Sequence, residues 1–148
     1  MKALTIFCKS IEVGLKTGPD ICDITHQINK LVTESNIENG SLCVTIIGST
    51  GSLTTIEFEP GVVEDLKMAI NRLALPGLEY EHEKAWHDGN GHSHVQAALL
   101  GPSITLPIRE GSLRLGTWQQ LVAINHDNRP RTRKIEVTIT GITGKIRS

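Results

Sequence analysis

Residues 41–59 of the chain read SLCVTIIGSTGSLTTIEFE. β-Branched and apolar residues dominate both halves of this stretch, which is typical of two strands. Between the halves, GSTG at residues 48–51 contains two glycines that can adopt the positive φ angles of a tight turn. The pattern therefore predicts two consecutive strands joined by a hairpin turn, with no helix between them.

The N-terminal side of this stretch contains further strands and a helix. Residues 2–9 (KALTIFCK) and 10–16 (SIEVGLK) alternate approximately between apolar and polar, which predicts two short strands. In residues 23–35 (DITHQINKLVTES) the apolar residues recur at helical spacing instead, and Asp23 or Thr25 can cap the first turn. A helix is therefore predicted before the strand pair.

The C-terminal side contains two helical segments and three strands. Pro60 stands at a first helical turn, and the apolar residues that follow share one stripe until Pro76 ends the segment. A short helix is predicted over residues 95–101, with Ser93 as N-cap and Gln96 at the spacing of a capping box. The strands are predicted at 103–108, 118–125 and 134–141, and HDNRPRTR at 126–133 is predicted to be the turn of a final hairpin.

The order of these elements decides between fold classes. Two strands, a helix, two strands, a helix and three strands follow one another, with no regular β-α-β alternation. This order favours an α+β fold with antiparallel sheets and two to three helices over a doubly wound fold. The length fits one domain over residues 1–148. Because only 3% of the residues are aromatic, the sheets are expected to need cover from another subunit.

Composition excludes several classes of function. A net charge of −1 argues against broad nucleic-acid binding, which needs a basic face. The three cysteines have no paired spacing, which is typical of reduced thiols in a cytosolic protein. The apolar run near the N-terminus ends at Lys9, too short for a signal peptide or a membrane span. A soluble, cytoplasmic protein without a membrane partner is expected.

Histidines are concentrated in HDGNGHSH, residues 87–94, and His82 precedes them. His92 and His94 are two residues apart, so their rings point to the same side of an extended chain. If Ser93 caps a helix, the positive end of the helix dipole keeps the His94 ring neutral, the form that binds a metal or accepts a proton. Two interpretations remain open, a metal or proton-transfer site and a solvated loop without a role.

The second candidate site combines arginines with small hydroxyl residues. Arg129, Arg131 and Arg133 alternate, so on an extended chain their guanidinium groups project together toward phosphate oxygens. Ser49 and Thr50 lie in the glycine turn, where hydroxyls and backbone N–H groups can cradle an anion. The alternatives are a solvated hairpin edge for the arginines and a plain turn for the glycine segment.

Several segments carry a resemblance that covers nearly the whole chain. NGHSHVQAALLGPSITLP (90–107), GSLRLGTWQQ (111–120) and DNRPRTRKIEVTITG (127–141) have the order and spacing of one family, and DIT (23–25) and STGSLTTIE (49–57) extend the match. The sequence resembles the YjbQ-like family, whose members carry the name secondary thiamine-phosphate synthase enzyme. The resemblance implies an α+β domain built around a two-layer antiparallel β-sandwich, assembled as a homotrimer.

The same resemblance implies an activity and a set of residues. The activity would be thiamine-phosphate synthesis, in which a pyrimidine methyl diphosphate condenses with a thiazole phosphate and loses pyrophosphate. Arginines would stabilise the leaving diphosphate, an aromatic face or carboxylate the developing cation, and an imidazole would move a proton. The implied catalytic residues are Glu57, His94, Trp118, Gln119 and Asp127, and the implied phosphate-binding residues are Arg131 and Arg133. Ser49 and Thr50 of the glycine turn are further candidates for phosphate binding.

One departure from the family pattern bears on a metal site. Many relatives have a histidine where this chain has Gly48, and an aspartate where it has His92. Our hypothesis is that His92 supplies the missing nitrogen, so that His82, His92 and His94 bind a divalent metal, zinc or magnesium. Two other functions are kept open beside the synthase. One is a non-enzymatic trimer that sequesters a phosphorylated metabolite or a metal, and the other is a hydrolase that uses metal-bound water.

Overall fold

A computed structural model describes residues 2–144 and shows an α+β chain. The described part contains eight strands and four helices. Within it, no helix is long and apolar enough to cross a membrane. The strands are β1 (Leu4–Leu15), β2 (Asp20–Asp23), β3 (Ile37–Ile46), β4 (Gly51–Ile56), β5 (Ser103–Arg109), β6 (Ser112–Leu113), β7 (Gln120–Asn125) and β8 (Arg131–Thr143). The helices are α1 (Thr25–Ser35), α2 (Pro60–Leu73), α3 (Glu81–Trp86) and α4 (Gly91–Leu100).

The strands form two antiparallel sheets in a sandwich-like arrangement. The larger sheet has the order β1-β8-β3-β5-β6, and the smaller has the order β2-β7-β4. The predicted α+β class with antiparallel sheets is confirmed. The numbers of elements differ from the prediction. The structure has four helices instead of two to three, and four strands instead of three follow the last helix. The two strands predicted at the N-terminus are one strand, β1, paired along its whole length with β8.

The small sheet is a middle layer, which the burial of β7 shows directly. Leu121 and Ala123 belong to the main core between the sheets, while Val122 and Ile124 pack in a second core with Ile70 of α2. All four β7 side chains are fully buried. Each fully buried aliphatic side chain of Val, Leu or Ile size contributes about 1.5–3 kcal/mol relative to exposure. The continuous apolar run in β7 thus reflects burial on both faces.

Two connections that were predicted as hairpin turns cross from one sheet to the other. β3 pairs with β5 and β8, whereas β4 pairs with β7, so residues 47–50 carry the chain between the sheets. Residues 126–130 do the same between β7 and β8. The physical reason is burial: β7 needs cover on both faces, whereas β8 alternates between buried and exposed and leaves one face open. We call these two connections the first and second crossovers.

The start of α4 also differs from the prediction. Asn90, not Ser93, is the N-cap residue, and the helix begins at Gly91. The hydroxyl of Ser93 lies inside the first turn and donates to Oδ1 of Asn90 at 2.8 Å. The Glu83 carboxylate accepts a hydrogen bond from the backbone N–H of Gly91 at 2.8 Å. That acceptor satisfies one of the N–H groups that a helix start leaves free, so the helix begins earlier than expected.

Candidate functional site

The two crossovers meet at Asp127, whose carboxylate is buried. Its Oδ2 accepts hydrogen bonds from Oγ1 of Thr50 and Nε of Arg131, each at 3.0 Å, and Oδ1 accepts one from Nδ2 of Asn90 at 3.1 Å. Burial opposes ionisation of Asp127, but the hydrogen bonds from Asn90, Thr50 and Arg131 outweigh it and hold the pKa below its usual value. Asp127 is therefore a charged acceptor that joins both crossovers to α4.

Arg133 lies beneath the first crossover and is only 7% exposed. Its Nη2 donates to Oγ1 of Thr50 and to Oδ1 of Asn125, both at 2.6 Å. A Cβ atom at Gly48 would stand 2.7 Å from Nη1, and one at Gly51 would stand 3.4 Å from Nε. The glycines therefore let the guanidinium lie against the turn backbone. The Nε atom is buried and has no hydrogen-bond partner in the described part of the chain.

The predicted phosphate-binding residues thus lie close together around one carboxylate. Thr50, Arg131 and Arg133 are joined directly or through Asp127. Ser49 is exposed on the turn beside Thr50. Together with Asp127, these residues are called the crossover site below. Arg131 and Arg133 lie two residues apart in β8 and share one face of the strand, whereas Arg129, predicted to project with them, precedes β8 in the second crossover.

Two of the predicted imidazoles come together on the surface between α3 and α4. The ring centroids of His82 and His94 are 4.5 Å apart. Nε2 of His82 lies 3.3 Å from Oδ1 and 3.4 Å from Oδ2 of Asp88. Trp86 is stacked beyond His82 with its centroid at 6.4 Å. We call His82, Asp88 and His94 the imidazole cluster.

His92 does not join this cluster. Its ring is buried, and its Nε2 lies 3.3 Å from the hydroxyl of Ser93. Burial lowers the pKa of His92, although the hydrogen bond at Gly89 and the charges of Glu83 and Asp127 act in the opposite direction. Among residues 2–144, no group of three or more His, Cys, Asp or Glu side chains could hold a metal ion. The proposed trio of His82, His92 and His94 is therefore not assembled in this arrangement.

Hydrogen bonds to the backbone hold the loop that carries Asp88. The Glu83 carboxylate accepts from the N–H groups of Gly89 and Gly91 at 2.7 and 2.8 Å. These bonds, that of Gly91 first, lower the pKa of Glu83 and keep it charged. Nδ2 of Asn128 donates to the carbonyl oxygen of Asp88 at 2.6 Å. The second crossover therefore contacts the loop directly, so the imidazole cluster and the crossover site are neighbours.

Three of the predicted catalytic residues lie at the opposite end of the small sheet. Strand register pairs Gly51 with Asn125 at the crossover end, and Ile56 with Gln120 at the other end. Five residues of extended strand span about 17 Å. Glu57 immediately follows the far end of β4, and Trp118 and Gln119 precede the far end of β7. Trp118 is 73% exposed there. Within one chain, Glu57, Trp118 and Gln119 do not converge with His94 and Asp127.

Sequence reasoning missed a buried polar network behind the crossover site. His126 is 1% exposed, with Nε2 2.7 Å from the hydroxyl of Ser52 and Nδ1 3.0 Å from Oε1 of Gln96. Nε2 of Gln96 in turn donates to Oδ1 of Asn71 and the carbonyl oxygen of Ala74. Burial, then the charge of Arg133 and that of His92, lower the pKa of His126 to about 4. The sequence feature that could have indicated this network is the run of three polar residues, 125–127, at the end of an otherwise apolar strand.

The fold and the two polar clusters define an α+β protein with a sandwich of antiparallel sheets and a charged site where the chain crosses between them. Residues 9–142 match the family described as UPF0047 protein YjbQ-like. The chain belongs to this family, as the resemblance predicted. A UPF0047 protein of Archaeoglobus fulgidus is 35% identical over 129 residues, which cover 86% of this chain and 98% of that protein. UPF0047 protein YjbQ of Salmonella typhimurium is 33% identical, covering 80% and 86% respectively.

Solved structures give the same result. A YbjQ-like protein of unknown function from Sulfolobus solfataricus has a TM-score of 0.89 at 31% identity, covering 94% of this chain and 99% of that one. An uncharacterised yjbq/upf0047 family protein from Clostridium acetobutylicum has a TM-score of 0.76 at 33% identity, covering 87% and 98%. These proteins, like the curated relatives, bear family names without an activity, and none is named a thiamine-phosphate synthase. The predicted assignment as a thiamine-phosphate synthase is therefore wrong.

Proposed function

We propose that the crossover site binds the phosphate group of a small phosphorylated molecule. The observation that carries the proposal is Arg133, a guanidinium almost completely buried against the glycine turn with one N–H unsatisfied. Burying an arginine costs free energy unless its charge is compensated. Asn125 and Thr50 supply neutral acceptors, and the one neighbouring carboxylate, Asp127, is shared with Arg131.

The balance of charge at the site favours an anion. Arg129, Arg131 and Arg133 contribute three positive charges around the single negative charge of Asp127. The Nε of Arg129 is 4.0 Å from that carboxylate and its side chain is 66% exposed. Lys16 and Arg131 line a shallow surface pocket at the same end of β8. A phosphate dianion would complete the neutralisation, and guanidinium groups bind phosphate with charge-assisted hydrogen bonds.

Each residue has a distinct role in this proposal. Arg131 has a side chain that is 37% exposed, so its guanidinium can meet a ligand while Asp127 orients it through Nε. Arg133 provides positive potential from below and holds the turn through Thr50. Ser49 and the turn backbone are exposed above it and offer donors to phosphate oxygens.

Calorimetric titration with inorganic phosphate and pyrophosphate tests the proposal. We expect saturable binding in the unaltered protein and a loss of about tenfold or more in affinity in Arg131→Gln, since a hydrogen bond to a charged group contributes about 1.5–3 kcal/mol. Arg72→Gln is the matched control, because Arg72 is an exposed arginine of α2 outside the crossover site. Absence of saturable binding, or equal weakening in both variants, would overturn the proposal.

We also propose that the chain assembles as a homotrimer, as the family resemblance implies. Support comes from large apolar side chains that are at least 40% exposed on α2, α3, α4 and the segment between α2 and α3: Met68, Leu73, Leu75, Leu78, Trp86, Val95 and Leu99. Exposed apolar side chains that lie on neighbouring elements mark interaction surfaces. Light scattering on eluted protein should give three times the chain mass of 16.2 kDa. A mass equal to one chain at micromolar concentration would refute the trimer.

A further inference from the structure

A pocket opens beside the crossover site, at the end where β1 and β8 are paired. Leu15 is paired with Arg131 there. The pocket has a volume of about 280 Å³, roughly that of nine water molecules at about 30 Å³ each. A phosphate group alone would leave much of this space free. It is lined by Gly14, Leu15, Lys16, Pro130, Arg131 and Thr132, so one arginine belongs to both the pocket and the crossover site.

The side chain of Asn125 ties the backbone of Lys16 to the arginines. Its Nδ2 donates to the carbonyl oxygen of Lys16 at 2.8 Å and to that of Arg129 at 3.1 Å. Its Oδ1 accepts from Nη2 of Arg133 at 2.6 Å. One buried amide therefore contacts the segment that carries Lys16, the second crossover and the buried guanidinium at the same time.

The chain that follows Lys16 lies directly on the second crossover. The backbone N–H of Gly18 donates to the carbonyl oxygen of Asp127 at 2.8 Å. A Cβ atom at Gly18 would stand 2.5 Å from the carbonyl oxygen of Asn125, so glycine is needed for this close approach. The backbone N–H of Lys16 donates to Oδ2 of Asp20 at 2.7 Å. These contacts hold the backbone of Lys16 at the rim of the pocket.

The charges around the pocket differ between its two sides. Lys16 is exposed, and none of the ion pairs within residues 2–144 includes it. A single ammonium group is a point charge that suits a carboxylate with its one negative charge. On the other side, the guanidinium groups of the crossover site suit a phosphate. Leu15 and Pro130 supply apolar surface between the two.

We propose that the pocket binds the carbon chain of a small phosphorylated carboxylic acid, with its phosphate at the crossover site and its carboxylate on Lys16. This inference rests on the proposed phosphate binding and names the class of molecule that carries the phosphate. Gly14 forms an open part of the pocket, since a Cβ atom there meets no atom of residues 2–144 within 4 Å. A larger side chain at Gly14 therefore fills the pocket without displacing the surrounding chain.

Calorimetric titration with 3-phosphoglycerate and glycerol 3-phosphate tests the proposal, because these probes differ only in a carboxylate against a hydroxymethyl group. We expect 3-phosphoglycerate to bind the unaltered protein about fivefold or more tightly than glycerol 3-phosphate. In Lys16→Gln this preference should disappear, while the affinity for inorganic phosphate should stay unchanged. Lys30→Gln is the matched control and should keep the preference, because Lys30 is an exposed lysine of α1 outside the pocket.

A second variant tests the pocket itself. Gly14→Val places a β-branched side chain, which suits a strand, in the open space, so both esters should bind more weakly while inorganic phosphate still binds. Equal affinities of the two esters for the unaltered protein, a preference that survives in Lys16→Gln, or ester binding unchanged in Gly14→Val would overturn this inference and leave phosphate binding standing. If inorganic phosphate also fails to bind the unaltered protein, the proposed function and this inference both fall.

Discussion

His126 makes a specific prediction about stability against pH. Its ring is 1% exposed and bridges the hydroxyl of Ser52 and Oε1 of Gln96. Because an amide oxygen only accepts, Nδ1 carries the proton and Nε2 accepts from Ser52. Both ring nitrogens therefore have hydrogen-bond partners in the neutral ring. Burial and the nearby charge of Arg133 lower the pKa of His126 to about 4, from an ordinary value of 6.5.

The sign and size follow from proton linkage. Between pH 6.5 and about 4 the unfolded chain binds a proton at this residue and the folded chain does not, so the free energy of unfolding falls as the pH falls. The slope reaches about 1.4 kcal/mol per pH unit, and the total loss is about 3 kcal/mol. Above about pH 6.5 His126 causes no loss of stability. Below about pH 4 the loss is complete and no longer changes with pH.

Urea denaturation of the unaltered protein and of His126→Gln, followed by circular dichroism at several values from pH 7.5 to 4, measures this contribution. At pH 7.5 the variant should be less stable by about 1–3 kcal/mol, since it loses buried hydrogen bonds. At pH 4 that deficit should have shrunk by about 3 kcal/mol. His26→Gln, an exposed histidine on α1, should follow the unaltered protein throughout. A deficit of the same size at both ends, or a His126 pKa near 6.5 by NMR, would refute the reasoning.

Two further predictions concern packing. Gly91→Ala should lower the free energy of unfolding by about 1–3 kcal/mol, because the new methyl group overlaps Tyr80. Gly14→Ala is the control, because a Cβ there meets open space; comparable melting temperatures for the two variants would contradict the prediction. Ile139→Ala, at a fully buried position of β8, should lower the free energy of unfolding by about 2–5 kcal/mol. Thr138→Ala, on the exposed face beside it, should change it by no more than about 0.5 kcal/mol. Similar urea midpoints for the two variants would be evidence against the core assignment.

The candidate site was predictable to the extent that its residues are local in sequence. Alternation placed Arg131 and Arg133 on one face of a strand, and they do share the surroundings of Asp127. The imidazoles of His92 and His94 also alternate, yet helix α4 begins at Gly91, so the two rings separate. His94 instead contacts His82 of another helix. Residue spacing within one segment cannot predict a contact between two different elements.

The sequence by itself determined most of the helices and strands and which of their faces are buried, although β2, α3 and β6 were not predicted. Helix α1 ends at Ser35 as predicted, and α2 begins at Pro60, because apolar spacing, proline and caps act within a few residues. Only the tertiary structure decided which sheet each strand joins. A hydrophobic pattern shows that one face of an element must be buried, but it does not show which other element packs on that face. For that reason the two crossovers, the meeting of Thr50 with Asp127, and the distance from Asp127 to Trp118 appeared only in the folded chain.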